Sequence, residues 1–292
     1  MSGIVNGINY NLLFSPNSAA DATTAMLNAL ISGSSSSLPA TTFVSSGNPI
    51  TDLKLAQQEQ TAGVANEALQ PQISNAITAF KTAVANATSI QSALANPDVQ
   101  KVLLTANGLT SYIGETALAQ KILLSDPNVS TSLVNQMANP TWLTTVATYD
   151  FAKNGLSELR NPTTIATLSN TYAEMEWRQG LNQATPGLSN ALTFLSQASS
   201  IKSVSDIFDN MTNFQVITTA LGIPQDVAFQ EASAQQTAVS ARLNISKLQD
   251  RSYVTNLTDQ YLLTMQENKQ ASAGSGTDLT TLAVQAGGGL VV

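Results

Sequence analysis

Residues 96–109, NPDVQKVLLTANGL, contain the signals that predict how much of this chain folds. Asn96 suits a helix N-terminus because its side chain can accept hydrogen bonds from the first free amides, and Pro97 is tolerated in the first turn. Apolar residues then recur at three- and four-residue spacing from Val99 onward, which is typical of a helix. Gly108 can adopt the left-handed conformation that ends a helix. The stretch therefore predicts a short capped α-helix.

Similar start and stop signals recur along the chain, which favours a repeated helical unit. Two further starts fit the pattern without a clear Gly stop, at Ser125-Asp126-Pro127-Asn128 and at Asn161-Pro162. The alternative is that cap and stop signals recur by chance in any helical protein. The recurrences run from Asn139-Pro140 to Asn154-Gly155-Leu156, from Asp209-Asn210 to Leu221-Gly222-Ile223-Pro224, and more weakly from Gln249-Asp250 through Tyr253, Val254, Leu257 and Tyr261.

The distribution of charge divides the chain into three segments. Residues 1–51 form a low-charge N-terminal segment with one predicted helix, Asn17–Gly33, and a Ser-rich linker. Residues 52–270 form a helical body, and residues 271–292 form a flexible Gly/Ser linker followed by an apolar C-terminal segment.

The body is predicted to be all-α, an irregular bundle or a short solenoid of capped helices with repeated helical units. Two apolar stripes outline its clearest further helices. These stripes consist of Ile73, Ile77, Phe80 and Val84, and of Val227, Ala228, Ala232, Val239 and Leu243, the second helix ending near Asn244.

Composition excludes several kinds of chemistry. The 292 residues include neither Cys nor His. Disulfides, Cys-ligated zinc, cysteine nucleophiles and the Ser-His-Asp triad are therefore excluded. Carboxylates, Lys, Tyr and Ser/Thr remain for catalysis. The sequence predicts no cofactor, no metal-binding residues and no catalytic residues, and binding residues are not assigned.

The charge of the chain also limits its partners. The formal net charge is −7, and charged residues make up 11% of the chain. Nucleic acid and anionic membranes need a dense basic surface, so neither is expected as a partner. No apolar run is long enough to span a bilayer. The start, Met1-Ser2-Gly3-Ile4, lacks the features of a cleaved signal, so we expect a cytoplasmic protein or export without signal cleavage.

One polar and aromatic cluster is the strongest candidate for an active site. The cluster lies between residues 172 and 179. On a helix, Tyr172, Glu176 and Gln179 would share one face. Glu174 would point in the same direction as Trp177 and Arg178. A Glu beside a Trp can have a raised pKa, as the acid of a glycosidase requires. The simpler interpretation is ordinary helix amphipathicity, because nothing in the sequence pairs either Glu with a second carboxylate.

Other candidates have structural interpretations. Glu115, Asp126 and Asp150 are isolated acids, and each is more simply a helix cap or a solvated side chain. The glycine-rich stretch at residues 273–277 has no preceding strand and no following Lys, so it is interpreted as a hinge or linker rather than a phosphate-binding loop. The low-charge ends either order against a protein partner or one another, or pack back on the body.

A family resemblance follows from a series of short motifs. In their order and spacing over roughly residues 55–265, the motifs resemble the alphaproteobacterial domain of unknown function 1217 family, which is uncharacterised and helical. These motifs are Leu123-Leu124-Ser125-Asp126-Pro127-Asn128, Trp142 through Gly155-Leu156, Tyr172-Ala173-Glu174 with Trp177-Arg178, Thr185 through Leu192, Thr218 through Pro224, and Arg242-Leu243-Asn244-Ile245.

The resemblance implies a link to the bacterial flagellum, because some members are encoded among flagellar genes, but it supplies no functional residues. We therefore expect a non-enzymatic structural or interaction protein of the flagellum, either an assembly factor or an axial component. It would bind protein partners or self-assemble through its terminal segments. The alternatives are a carboxylate-based glycan hydrolase and a secreted or surface-exposed binding module.

Overall fold

The structure is a computed structural model that describes residues 4–5, 8–9, 43–137 and 139–287, with side chains described between residues 43 and 271. The chain divides into two compact units, Met1–Ala40 and Thr41–Val292. The boundary between the units lies before the start of the body predicted from charge, at residue 52.

The first unit contains a two-stranded antiparallel ribbon. Strand β1, Ile4–Val5, pairs with β2, Ile8–Asn9, in a register that places Ile4 opposite Asn9. The predicted helix Asn17–Gly33 and the Ser-rich linker lie outside the described residues.

The second unit is all-α, as the sequence predicts. Short 3₁₀ helices lie at Thr110–Tyr112, Leu133–Gln136, Ala198–Ser200, Gln225–Phe229 and Ile245–Gln249. The α-helices of its described residues are α1 Pro49–Leu69, α2 Pro71–Asn86, α3 Ile90–Leu94, α4 Pro97–Ala106, α5 Thr116–Leu123, α6 Pro140–Tyr149, α7 Phe151–Leu159, α8 Pro162–Ala184, α9 Leu188–Gln197, α10 Val204–Phe208, α11 Met211–Ala220, α12 Ala232–Ser240 and α13 Arg251–Gly287.

The predicted helix starts are confirmed at the Asn-Pro pairs. The side chains of Asn96, Asn139 and Asn161 accept hydrogen bonds from the first amides of α4, α6 and α8, and a Pro follows each of them. Asn48 caps α1 in the same way. An Asn cap stabilises a helix by about 1 kcal/mol relative to Ala.

Two of the predicted stops are also confirmed. Gly108 and Gly222 have φ of +72° and +60°, the left-handed region that Gly adopts without strain. The amide after each Gly closes the helix, because Leu109 donates to the Leu104 carbonyl and Ile223 to the Thr218 carbonyl, both at 2.8 Å. A 3₁₀ helix follows each stop, so α4 and α11 share a structural pattern.

The helix break predicted at Gly155 is confirmed, since Gly155 has non-helical backbone with φ of +60° and kinks α7. The helix that starts at Asn139-Pro140 nevertheless ends earlier, at Tyr149. Asp150 has φ of +43° and its amide donates to the Val146 carbonyl, which ends α6. The Asp150 side chain then accepts from the Lys153 amide, so a single Asp ends one helix and caps the next.

A helix start predicted at Ser125-Asp126-Pro127-Asn128 forms a turn instead. The Asp126 side chain accepts a hydrogen bond from the Asn128 amide at 2.8 Å. The side-chain Nδ2 of Asn135 then donates to the carbonyls of Pro127 and Val129, at 3.0 and 2.9 Å. These side-chain bonds satisfy the turn locally and compete with helix formation.

The long helix predicted from Val227 to Leu243 is also wrong. The segment forms the 3₁₀ helix Gln225–Phe229 and then the separate helix α12. Val227, Val239 and Leu243 are all buried, so the apolar spacing is correct, but Gln230 and Glu231 have extended backbone that separates the two helices. Helical spacing alone does not distinguish one long helix from two short ones that bury the same side.

The predicted Gly/Ser linker near residues 273–276 is helical in the structure, because α13 continues from Arg251 to Gly287. Within the described residues, no helix has both the length and the apolar character needed to cross a bilayer.

Two apolar cores form the interior of the second unit. The first core takes its buried residues from one continuous stretch of sequence, from Ile73 to Ala173. Its largest fully buried side chains are Trp142, Tyr172, Phe80 and Phe151. The second core combines Leu53 and Ala56 of α1 with buried residues from Trp177 to Leu262.

Helix α8 belongs to both cores. Its first half supplies Leu168 and Tyr172 to the first core, and its second half supplies Trp177 and Leu181 to the second. Helix α1 runs antiparallel to α8, since Asp52 bonds Thr185 whereas Gln60 bonds Glu174. The α1–α8 pair therefore joins the two cores.

Candidate functional site

The predicted polar and aromatic cluster lies where α8 packs against α1. We call this the α1–α8 seam, and we define it by Gln60, Gly63 and Glu67 of α1 with Tyr172, Glu174, Glu176, Trp177 and Arg178 of α8. All of these residues are buried or half-buried in the structure.

The two predicted faces of α8 are confirmed. Glu174 and Arg178 form an ion pair one helical turn apart, with Oε1 2.8 Å from Nη2 and 2.9 Å from Nε. Glu176 lies on the other face, where its charge raises the pKa of the Tyr172 phenol.

The Glu174–Arg178 pair extends to two neighbouring helices. Gln60 Nε2 of α1 lies 3.4 Å from Glu174 Oε1. Arg178 Nη1 donates to Thr193 Oγ1 at 3.1 Å and to the Ser189 carbonyl at 3.3 Å, both on α9. The pair thus connects α1, α8 and α9, and all of these Glu174 contacts are made by Oε1. This geometry favours a structural role for Glu174 over an acid-base role.

Trp177 lies directly against the backbone of α1. A Cβ added to Gly63 would lie 2.8 Å from Cε2 of the Trp177 indole, closer than real Cβ atoms approach. Gly63 therefore permits α1 and α8 to approach each other closely. The sequence analysis missed Gly63, because a Gly inside a helix gives no signal that identifies its partner.

Glu67 is the second carboxylate that the sequence could not identify. Burial raises the pKa of Glu67, and the charge of Glu176 on α8 raises it further. Burial also raises the pKa of Tyr172, and the charges of Glu176 and Glu67 raise it further. Two carboxylates and a phenol from two helices thus interact at one point of the seam.

A second polar group lies at the N-terminal end of α1, around the fully buried Asp52. Ser46 donates to Asp52 Oδ1 through its amide at 2.7 Å and its hydroxyl at 2.6 Å. The hydroxyls of Ser45 and Thr185 donate to Oδ2. The Asp52 group therefore ties residues 45–46 and the turn after α8 to the first turn of α1.

Asp52 is held as a carboxylate by these contacts. Burial raises its pKa, but hydrogen bonds from Ser45, Ser46 and Thr185 lower it by more, so the pKa lies below its ordinary value. A neighbouring cavity of about 340 Å³ is lined by Asp52, Thr185, Leu262, Gln266 and Lys269, among others. With its oxygens already accepting hydrogen bonds, Asp52 acts as a structural anchor rather than a free base.

The three isolated acids have the structural roles that the sequence favours. Asp126 stabilises a turn and Asp150 caps α7. Glu115 precedes α5, makes no capping bond with its side chain, and is exposed. The glycine-rich stretch from residue 273 belongs to α13. No group of three or more acidic residues within the described parts of the chain could hold a metal ion.

Comparison with known families identifies the chain. A family described as protein of unknown function (DUF1217) matches residues 106–254, about half of the sequence. The chain belongs to the DUF1217 family. The matched residues reach from the end of α4 into α13, so they include α8 and its half of the seam. They do not include α1, which supplies Asp52, Gly63 and Glu67.

A crystal structure of a protein from Agrobacterium tumefaciens, determined by a structural genomics consortium, has a similar fold. The TM-score is 0.59 at 20% sequence identity, and the similarity covers 73% of this chain and 91% of the other. At this identity the similarity shows a shared fold and nothing about activity. No curated protein matches the chain.

Proposed function

We propose that the protein is a non-enzymatic structural or interaction protein associated with the bacterial flagellum. Its body would serve as a rigid scaffold, and its terminal segments would bind protein partners or other copies of the chain.

The observation that carries the proposal is the use of three charged groups, two in the seam and one beside it, as joints between helices. Glu174 and Arg178 join three helices, and Asp52 joins residues 45–46 to the turn after α8. These charged groups thus hold parts of the fold together. An acid-base catalyst instead needs a carboxylate that can contact substrate.

Support for the flagellum comes from the family and the composition. The resemblance to this family implies a flagellar link, since some members are encoded among flagellar genes. Axial flagellar proteins are similarly poor in Cys and rich in Asn, Ser, Thr, Ala and Gln, and this chain has no Cys and only 11% charged residues.

Localisation in cells tests the proposal. A tagged full-length chain is followed in wild-type cells and in cells without the flagellar export gate, and the cytoplasm, envelope, medium and purified flagella are measured separately. Recovery in flagella that depends on the export gate is the expected result. Identical cytoplasmic retention in both strains would reject a role as an axial or exported component and favour an internal assembly partner.

The terminal segments are tested by deletion of residues 1–40. The compact-unit boundary makes Ala40 a better endpoint than residue 51, because Ser45 and Ser46 stabilise Asp52. We expect the deletion to reduce motility and to change the oligomeric state measured by light scattering. Unchanged motility together with unchanged mass would reject assembly through the N-terminal segment.

A second candidate function is favoured by the Glu67–Glu176 interaction, because one carboxylic acid with a raised pKa beside a second carboxylate is typical of glycosidases. If the protein is a glycan hydrolase, Glu176→Gln abolishes peptidoglycan cleavage without changing the helical content. Glu59→Gln, on the exposed face of α1, is the matched control. No cleavage by the wild-type protein would reject this candidate.

A further inference from the structure

One part of the second unit has an unusually one-sided charge. From Ser203 to Ala241 the chain contains four acids and neither Lys nor Arg. The acids are Asp206, Asp209, Asp226 and Glu231. Lys202 and Arg242 border the segment on either side. Between these two bases, the segment itself carries only negative charge.

The elements of this segment form one packed region. Helices α10 and α11 contact each other, α10 also contacts α12, and the 3₁₀ helix Gln225–Phe229 contacts both α11 and α12. We call these four elements the α10–α12 region. Asp226 and Glu231 are exposed and lie three residues before and two residues after Phe229, so their charges act close to it.

The α10–α12 region also exposes two large apolar side chains. Phe229 is 92% exposed and Met211 is 76% exposed. A solvated Phe forgoes the favourable burial of a large apolar surface, and aromatic residues are enriched at the centres of protein interfaces. Phe229 lies between Asp226 and Glu231 in the sequence.

The backbone around Phe229 is held in place although its ring is exposed. Val227 is buried in the second core and anchors the 3₁₀ helix. Gln235 Nε2 of α12 donates to the carbonyls of Ala228 and Gln230, at 3.1 and 3.0 Å, on either side of Phe229. The ring is therefore presented by a fixed turn, which lowers the entropic cost of binding.

We propose that the α10–α12 region binds a partner protein, with Phe229 inserted into an apolar pocket that is bordered by Lys and Arg residues of the partner. This inference rests on the proposed function as an interaction protein, and it names a surface on the body in addition to the terminal segments.

Charge decides which partner fits this surface. The acids beside Phe229 disfavour nucleic acid and anionic lipid as occupants of this surface. A second copy of the chain carries a net charge of −7 and scattered basic residues, so it lacks a basic border that matches. A protein with a basic rim complements the acids and gains the apolar burial of Phe229.

Random peptides displayed on phage provide a probe with defined composition. Peptides are selected on the full-length protein, synthesised, and their affinities measured by calorimetry. We expect peptides that combine an aromatic or aliphatic residue with Lys or Arg, and affinity that falls as salt increases. Phe229→Ala should weaken binding about tenfold or more, as for an interface hot spot. The double substitution Asp226→Asn with Glu231→Gln should reduce the salt dependence.

Leu143→Ala is the matched control, because Leu143 is also an exposed apolar residue, at 40%, but lies on α6 of the first core. The affinity of the Leu143→Ala variant for the peptides should equal that of the wild type. Circular dichroism checks that each variant is folded, and the exposure of Phe229 predicts no loss of helix.

Three results would overturn the inference. They are selected peptides without an excess of Lys and Arg, affinities that Phe229→Ala leaves unchanged, and self-association of the full chain that Phe229→Ala abolishes. Recovery of the protein in flagella is measured separately. If recovery depends on the export gate while one of the three results above is obtained, the inference about this surface fails and the proposed function stands.

Discussion

The two cores of the second unit are built from the chain in different ways. The first core uses a continuous stretch from Ile73 to Ala173. The second core draws on α1 and on residues from Trp177 onward, so its parts lie far apart in sequence. Their polar anchors differ in the same way. Arg160 donates to the carbonyls of Val84, Ala85 and Ala87 at the end of α2, within the stretch that forms the first core.

In the second core, by contrast, Asp52 and Thr185 join segments that are remote in sequence. The first core therefore closes within one stretch of the chain, whereas the second core brings α1 against residues up to 133 positions later in the sequence at its polar anchor. The chain has two tryptophans, Trp142 in the first core and Trp177 in the second, so each core has its own fluorescent reporter.

The largest expected effect comes from Trp142→Ala. Trp142 is fully buried and contacts Tyr112 edge-on at 5.0 Å between ring centroids, so truncation should lower the free energy of unfolding by about 3–5 kcal/mol. Urea unfolding is followed by the fluorescence of Trp177. Because α8 belongs to both cores, we expect this reporter in the second core to shift to lower urea.

The neighbouring Leu143→Ala is the control and should change stability by less than about 0.5 kcal/mol. A Trp177 transition that is unchanged in Trp142→Ala, while helicity is lost at lower urea, would show that the cores unfold independently.

Gly63→Ala tests the close contact of α1 with α8. The added methyl group would overlap the Trp177 indole, so we expect a loss of about 1–3 kcal/mol despite the higher helix propensity of Ala. The control is Gly180→Ala on α8, where no atom lies within 4 Å of the added Cβ. It should gain up to about 1 kcal/mol. Equal effects in urea unfolding would contradict the close packing of the seam.

Asp52→Asn tests the polar anchor of the second core. Replacing the carboxylate leaves hydrogen-bond donors without a full partner, and should cost about 1–3 kcal/mol at neutral pH. The folded pKa of Asp52 is lowered, so its contribution is present above the ordinary pKa and is lost as pH falls through the folded value. The wild type and variant should therefore converge in acid. Glu115→Gln, at an exposed acid, is the control in pH-dependent unfolding, and a constant difference at every pH would argue against an ionised Asp52.

The smallest expected effect comes from Glu67→Gln in the seam. The pKa of Glu67 is higher in the folded protein than in the unfolded chain. At a pH above the folded pKa, the ionised Glu67 therefore destabilises the fold. The substitution should slightly stabilise the protein at neutral pH, and the gain should disappear as pH falls through the folded pKa. Glu59→Gln on the same helix is the control. Destabilisation by Glu67→Gln at neutral pH would show that the Glu67 carboxylate makes a net favourable contact.

Several features of the fold could be predicted from short stretches of sequence. The Asn-Pro starts of α4, α6 and α8 and the Gly stops after α4 and α11 depend on hydrogen bonds within a few residues, so they are visible locally. The pairing of Glu174 with Arg178 follows from helical spacing. The stop at Asp150 was missed because a non-Gly residue rarely adopts φ of +43°.

Composition and local hydrogen bonding fix an all-α protein without thiol or imidazole chemistry, the caps of many helices and the two faces of α8, so these features can be predicted from sequence. The contacts of Glu67 with Glu176, of Gly63 with Trp177 and of Asp52 with Thr185, and the exposure of Phe229, are known only from the folded structure. Each of these depends on which helices pack together, and amphipathic spacing states that a face is buried without stating what buries it.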